Sequence, residues 1–165
     1  MALLAATLGT QLANMTPQDT EAAAISNLAT AFDTYFQGAT VAGIPVTPGS
    51  TAGAKAAMSG ALVGISAPGA GAAKIQAGII AYWGAVVPAA VTIWVTVPPI
   101  ISATPPPGLA GIAAAITPVF ASNQAGDLPL ATAANNVANA IHPTQLGGIA
   151  VIGPPPPGGT PTPIL

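Results

Sequence analysis

Apolar residues recur at every third or fourth position along several stretches of the chain, which is the spacing of one face of an α-helix. The clearest stretch opens at Thr16-Pro17, a good N-cap followed by a residue tolerated in the first helical turn, and it ends at Gly38. Asp33 and Gln37 fall outside its apolar stripe. The stripe consists of Ile25, Leu28, Ala29, Phe32, Tyr35 and Phe36.

Four further stretches show the same periodicity and predict shorter helices. Pro88 is predicted to end the second of these. The β-branched run after it predicts extended backbone over Ala89–Val97, followed by an irregular connection, Pro98–Gly108. The short apolar run Gly148–Ile152 is also predicted to be extended. The four helices are predicted at about Thr51–Ile65, Ala72–Val87, Leu109–Phe120 and Asp127–Ile141.

These elements predict a mainly α fold, an Ala/Gly-rich bundle of about five helices with minor β structure and extended Pro-rich termini. We predict one helical domain over residues 16–152. An apolar N-terminal arm (1–15), or a processed leader, precedes it, and a Pro-rich extended tail (153–165) follows it. The order helix, turn, helix, strand occurs in both 50–99 and 108–157, so duplication of such a unit is a hypothesis.

Charged side chains are almost absent, and this limits the function classes open to the chain. The 165 residues include two Lys, no Arg, four acidic residues, one His and no Cys, so only 4% are charged. An average soluble domain has about a quarter. The absence of Cys excludes disulfides, a thiol nucleophile and thiolate-held metals. The absence of a basic patch argues against nucleic acid as a partner. We expect no metal and no other cofactor.

A surface with so few charges suits contact with lipid or with other protein subunits. The stretch Ile75–Ile101 has no charged side chain and is apolar enough to be considered as a membrane span. However, Pro88 and Pro98-Pro99 interrupt it, and positively charged flanking loops are missing. These features favour protein over lipid.

The pattern of polar residues does not predict an enzyme. An acid/base pair between Asp33 and Asp127 requires proximity in the fold that a sequence does not show. His142 lies before Pro143 at a predicted helix end, where a cation complements the helix dipole, and no Gly-x-Ser-x-Gly motif accompanies it. Helix caps and solvated helix positions are the simpler interpretation. The four carboxylates are Asp19, Glu21, Asp33 and Asp127.

Large aromatic residues and prolines are the candidates for contacts between subunits. Trp and Tyr are enriched at protein interfaces, although they also fit the core of the chain or an aromatic belt at a membrane. A Pro-rich extended tail buries area on a neighbour without a core of its own. The candidate subunit-contact residues are Tyr82, Trp83, Trp94, Pro154, Pro155, Pro156, Pro157, Ile164 and Leu165.

Several short segments between about residues 40 and 165 share a similar composition and similar short motifs. They are rich in Ala, Gly and Pro and resemble small virion proteins of tailed bacteriophages. The phrases are Gly43–Ser50, Ala57–Leu62, Ala67–Ile79, Pro118–Asn123, His142-Pro143, Leu146–Gly148 and Thr162–Leu165.

The resemblance implies a structural component of the phage neck, tail or baseplate, with copies of itself and other virion proteins as partners. It also implies assembly in the host cytoplasm and a final location in the virion. Two alternatives remain beside it: a membrane-associated or membrane-inserted protein that uses Ile75–Ile101, and an apolar cell-surface coat protein.

Overall fold

The protein is mainly helical in a computed structural model that describes residues 3–41, 44–45, 51–93, 100–152 and 160–163. This confirms the predicted mainly α fold with minor β structure. The helices of the described residues are α1 (Ala5–Ala13), α2 (Glu21–Phe36), α3 (Ala52–Leu62), α4 (Gly71–Ile93), α5 (Ile112–Ala125) and α6 (Leu130–Ile141). Two short 3-10 helices are Pro107–Gly111 and His142–Gln145. The strands are β1 (Thr40–Val41), β2 (Ile44–Pro45), β3 (Ile100–Thr104), β4 (Ile149–Ile152) and β5 (Thr160–Pro163).

The segment predicted as an N-terminal arm contains helix α1, which packs against α6. Leu8 of α1 is fully buried in the core. At Gly9 the two helices come so close that an added Cβ would lie 3.4 Å from the Cα of Asn135. Residues 5–13 therefore belong to the helical bundle and do not form an arm outside it.

Helix α2 begins after Thr20, about one turn later than predicted. The Thr20 hydroxyl accepts a hydrogen bond from the Ala23 amide at 3.2 Å. Glu21 lies in the first turn, where a carboxylate complements the helix dipole. The predicted cap, Thr16, instead accepts from the Gln18 side chain through its carbonyl oxygen at 2.8 Å. Thr16 and Thr20 are both favourable N-cap residues, and Thr20 is the N-cap of α2.

Helix α4 continues through Pro88 to Ile93, so the predicted helix end at Pro88 is wrong. Extended backbone was predicted for Ala89–Val97, and this prediction is wrong for residues 89–93. Residues 94–99 lie outside the described residues. A proline ring inside a helix collides with the carbonyl four residues earlier. That residue is Gly84, which is exposed and has nothing within 4 Å of an added Cβ. Pro88 is exposed as well, so the proline and the carbonyl that it crowds lie on the solvent side of α4.

Helix α6 begins at Leu130, later than the start predicted at Asp127. Asp127 has a left-handed φ of 43° and lies in the connection from α5, so it is not in a capping conformation. Pro129 occupies the N-cap position in its place. Because proline lacks an N–H and fixes φ, it serves well at the boundary of a helix.

Strands β3, β4 and β5 form an antiparallel sheet with β4 in the centre. Strand β4 confirms the extended backbone predicted at Gly148–Ile152, whereas β3 falls in the connection predicted to be irregular. Strand β5 lies in the predicted Pro-rich tail and pairs with β4. The order helix, helix, strand occurs as α3–α4–β3 and α5–α6–β4, with β3 beyond the predicted 50–99 boundary. Duplication stays a hypothesis.

The core is centred on aromatic side chains of α2 and α4, where the Phe36 ring packs at a tilt against Tyr82 and Trp83 at centroid distances of 4.7 and 5.3 Å. Small residues allow the neighbouring helices to come close to this centre. An added Cβ at Gly78 of α4 would lie 3.1 Å from Cγ of Leu62 on α3. With few large side chains available, close helix contact supplies much of the packing.

Candidate functional site

Asp33 is the most informative polar residue of the fold because its carboxylate is buried. The Tyr82 hydroxyl donates to Oδ1 at 2.6 Å, and the Gln37 side-chain amide donates to Oδ2 at 3.0 Å. The same Gln37 nitrogen also donates to the Thr51 hydroxyl at 3.3 Å. The prediction that Asp33 lies off the apolar face of α2 is wrong. The buried face is wider than the stripe suggested, since Tyr82 of α4 reaches Asp33 on that side of α2.

Two further hydrogen bonds join α2 and α4 to the 3-10 helix after α6. Tyr35 Oη lies 2.8 Å from His142 Nδ1, and Trp83 Nε1–H donates to Gln145 Oε1 at 3.0 Å. Gln145 is fully buried, and its amide nitrogen donates in turn to the Thr144 hydroxyl at 2.8 Å. We call these three pairs, Asp33–Tyr82, Tyr35–His142 and Trp83–Gln145, the buried polar pairs.

The buried polar pairs have the geometry of structural hydrogen bonds. Burial raises the pKa of Tyr35, and burial together with the hydrogen bond and charge of Asp33 raises the pKa of Tyr82. Both phenols therefore stay protonated at neutral pH. Asp33 is buried in the bundle and Asp127 is exposed, so these two carboxylates do not form the acid/base pair considered from the sequence. No three metal-binding side chains cluster within the described part of the chain.

The raised pKa values of both tyrosines predict how the protein responds to alkali. The chain has two Tyr. Because the folded state holds these protons more tightly than the unfolded state, their stabilising effect is complete below about pH 10 and is lost as the pH rises further. The expected loss is about 1.4 kcal/mol per pH unit for each Tyr. Phenolate absorbance during a pH titration should therefore appear together with unfolding, as followed by circular dichroism.

Two comparisons make this titration decisive. In denaturant, both tyrosines should ionise near pH ~10, the value for an unperturbed phenol. Tyr35→Phe should leave one buried phenol and a shallower loss of stability with pH. Native protein that shows full phenolate absorbance near pH ~10 without unfolding contradicts the burial of these groups.

A mostly apolar cleft of about 300 Å³ lies between α1, α2, α4, α5 and α6. Asn123 is the polar residue of the lining, and both polar atoms of its side chain are already hydrogen-bonded within the chain. Its amide nitrogen donates to the Ala133 carbonyl at 3.1 Å, and its oxygen accepts from Asn136 at 2.9 Å. The cleft thus offers apolar contact and little hydrogen bonding. It is lined by Leu12, Leu28, Phe32, Ile75, Phe120, Asn123, Leu130, Ala133, Ala134 and Val137.

The structure divides the candidate subunit-contact residues into two groups. Tyr82 and Trp83 are fully buried in the core of the chain, so they do not present a surface to another subunit, and that candidate role is wrong for them. Their hydroxyl and indole N–H are satisfied within the chain, which is what buried Tyr and Trp require. Trp94, Pro154, Pro155, Pro156, Pro157, Ile164 and Leu165 lie outside the described residues.

Several large apolar side chains are instead exposed on different elements, and sequence periodicity alone did not single them out. Each is exposed over at least 40% of its surface. Among the few charged groups, Asp33 is buried and Glu21 is bound, since its Oε1 accepts from the amide of Gly64 at 2.8 Å. Among the residues whose burial the structure describes, the exposed large apolar ones are Leu4, Val63, Ile80, Leu130 and Leu146.

The chain matches no protein-family model, no curated protein and no solved structure. Within the described part of the chain, none of the helices combines the length and the apolar character needed to cross a bilayer. The geometry of the described residues and the phage-like phrases of the sequence are therefore the basis for assigning a function.

Proposed function

We propose that the protein is a non-enzymatic structural subunit of a tailed-phage virion, in the neck, tail or baseplate, which acts by packing against copies of itself and other virion proteins. The observation that carries the proposal is the scarcity of charge on a surface that also exposes large apolar side chains. The phage assignment comes from the resemblance of the sequence.

Charge is scarce in the sequence, and one of the four carboxylates, that of Asp33, is buried in the fold. The carboxylate of Asp33 is enclosed by Tyr82 and Gln37, and that of Glu21 accepts from backbone amides at Gly64 and Ser66. A free domain of this size normally keeps its solubility through about 25–35% charged surface and a net charge well away from zero. This chain has a formal net charge of −2. A surface with so little charge is suited to contact with other protein subunits.

The apolar residues at the surface supply a driving force for association. Burial of apolar surface stabilises a complex by about 25 cal/mol per Å², and a standard interface buries about 800 Å² on each partner. Leu4 precedes α1, Val63 follows α3 and Leu130 begins α6, so the exposed apolar side chains come from separate parts of the chain. The apolar cleft adds to this surface. A subunit of a symmetric assembly covers such apolar surface on its neighbours.

Purification without detergent followed by light scattering and native mass spectrometry tests the assembly part of the proposal. We expect a defined oligomer whose mass is a multiple of the 15.8 kDa chain mass. As a matched comparison, Leu130→Ser and Ile80→Ser should each weaken the oligomer if their faces are covered, while the circular dichroism spectrum stays unchanged. A stable monomer in buffer, or a monomer that partitions into lipid vesicles, contradicts the proposal.

A peptide inventory of purified particles tests the virion part. In the phage that encodes this chain, mass spectrometry of particles purified by density gradient should contain its peptides at a stoichiometry typical of a structural component. Cryo-electron microscopy of the same particles should then locate the helical bundle at the neck, tail or baseplate. Peptides found in the host membrane fraction and absent from washed particles contradict this assignment.

A further inference from the structure

A groove of about 340 Å³ lies between α5 and α6, and the proposed function makes no use of it. Small-molecule sites commonly have about 300–1,000 Å³, largely apolar walls and a few polar groups that fix the ligand. The groove combines apolar walls with uncharged polar side chains, so its size and its composition both suit a small ligand. The described residues that line it are Pro118, Val119, Ser122, Asn123, Asn136 and Asn139.

The carboxamide of Asn136 is held in one orientation in this groove by its neighbour Asn123. Nδ2 of Asn136 donates to Oδ1 of Asn123 at 2.9 Å, and Nδ2 of Asn123 donates to the Ala133 carbonyl at 3.1 Å. Because Asn136 presents its nitrogen to Asn123, its own Oδ1 remains an acceptor. Within the described residues this oxygen accepts no hydrogen bond. The groove therefore contains a positioned and half-buried acceptor.

Two exposed side chains beside it, Ser122 and Asn139, add polar groups that the fold does not use. In the described part of the chain neither side chain forms a hydrogen bond. Helix α6 has three Asn among its 12 residues, although Asn is less favourable than Ala inside a helix. Asn136 has an internal partner, whereas Asn139 has none among the described residues. The polar groups of the groove are thus directed at something other than this chain.

The chemistry of these groups indicates the kind of ligand. Carboxamides and hydroxyls both donate and accept, so they match a ligand whose groups do the same, as hydroxyl groups do. None of the described lining side chains is charged, so the groove lacks the charge-assisted bonds that select carboxylates, phosphates or amines. Pro118 and Val119 provide an apolar wall for the C–H face of a sugar ring. Peptides are commonly bound along a strand edge, and this groove is formed by two helices.

We propose that the groove between α5 and α6 binds a neutral saccharide. Ser122, Asn136 and Asn139 hydrogen-bond the hydroxyl groups of one sugar ring, and the apolar wall contacts its C–H face. Asn123 is a positioning residue, since it acts by holding Asn136. The site is built from one chain, so it does not rest on the proposed function and does not require assembly.

Saturation-transfer NMR on the full-length protein tests this proposal. The probes are the methyl glycosides of glucose, galactose, mannose and N-acetylglucosamine. We expect at least one of them to bind with a Kd on the order of 1 mM, because one ring gains only a few uncharged hydrogen bonds and a small apolar contact. Glucuronate and glucosamine carry a charge that the groove does not complement, so they should bind more weakly than the best neutral glycoside. A blocked alanine tripeptide serves as the peptide probe.

Alanine variants locate the binding. Ser122→Ala and Asn139→Ala should each weaken the bound glycoside by about two- to tenfold, the effect of losing one uncharged hydrogen bond. Both changes favour the helix, so the fold should be retained, as circular dichroism can verify. The matched control is Asn135→Ala, which removes an exposed Asn from the same helix outside the groove and should leave binding unchanged.

Three results overturn the saccharide proposal. One is the absence of saturation transfer to every neutral glycoside, and another is stronger binding of the charged sugars or of the tripeptide. The third is binding that survives in Ser122→Ala/Asn139→Ala, which places the saccharide elsewhere. Light scattering of the same samples separates this proposal from the proposed function. An oligomer that binds no glycoside refutes the saccharide site alone, whereas a monomer that binds one refutes self-assembly alone.

Discussion

Replacing Trp83 by Ala is expected to lower the free energy of unfolding by about 3–5 kcal/mol, the range for removal of a large buried aromatic side chain. Trp83 is fully buried, packs against Phe36 and Tyr82, and donates to Gln145 at 3.0 Å. Single domains are commonly stable by about 5–15 kcal/mol, so the variant loses a large share of its stability. Urea unfolding at one fixed protein concentration measures the loss, because assembly makes apparent stability depend on concentration.

A conservative variant separates the packing of Trp83 from its hydrogen bond. Trp83→Phe keeps an aromatic ring but leaves the buried Oε1 of Gln145 without its donor, which we expect to cost about 1–3 kcal/mol. Adding Gln145→Leu removes the stranded acceptor, so the double variant should lose less than the sum of the two single changes. Strictly additive losses would show that the indole N–H and Gln145 do not interact.

Helical periodicity predicted the approximate positions of five of the six helices of the described residues, because their burial follows local spacing, and it missed α1. The stripe of α2 and the apolar face of α6 are examples, with Phe32 and Ile141 fully buried as a helical face requires. Boundaries were less accurate. Thr16 and Thr20 are equal candidates by residue type, and Glu21, beside the second, also binds the loop after α3 through Gly64. A contact so distant in sequence leaves no local signal.

The behaviour of Pro88 shows where local preference gives way to packing. Proline normally ends a helix, and the β-branched residues after it favour strands. In the fold, α4 is held by Ile79, Tyr82 and Val86, which are buried on its core side. The ring of Pro88 lies on the exposed side over Gly84. Tertiary contact therefore carries the helix past a residue that would end an isolated one.

The buried polar pairs could not be predicted because their members are far apart in sequence. Tyr82 follows Asp33 by 49 residues, and His142 follows Tyr35 by 107. Sequence spacing placed Asp33 off the apolar stripe of α2, and the type of the aromatic residues suited the core, a subunit interface or a membrane belt. Only the folded structure shows that Tyr82, an aromatic residue of the core, donates a hydrogen bond to the carboxylate of Asp33. The exposed apolar residues could not be identified from the sequence either, because their exposure depends on which helix faces other elements cover.

Removing the donor of Asp33 tests the most demanding of these pairs. Tyr82→Phe deletes the hydroxyl that donates to Oδ1 at 2.6 Å and leaves a buried carboxylate oxygen without it. We expect a loss of about 1.5–3 kcal/mol in the free energy of unfolding, the range for hydrogen bonds to charged groups. The aromatic contact with Phe36 is retained in this variant, so the loss reports the hydrogen bond. Urea unfolding at neutral pH and fixed protein concentration measures it.

Changes at the acceptor complete the cycle. Asp33→Ala strands the Tyr82 hydroxyl, whereas Asp33→Asn keeps an oxygen that can accept from it and allows the Gln37 amide to turn and accept from the new NH₂ group. The loss should therefore be smaller for Asp33→Asn than for Tyr82→Phe. Asp33→Ala/Tyr82→Phe removes both partners and should lose less than the sum of its single changes. If the losses are additive, Asp33 and Tyr82 do not interact, and a greater loss for Asp33→Asn than for Tyr82→Phe contradicts the predicted order.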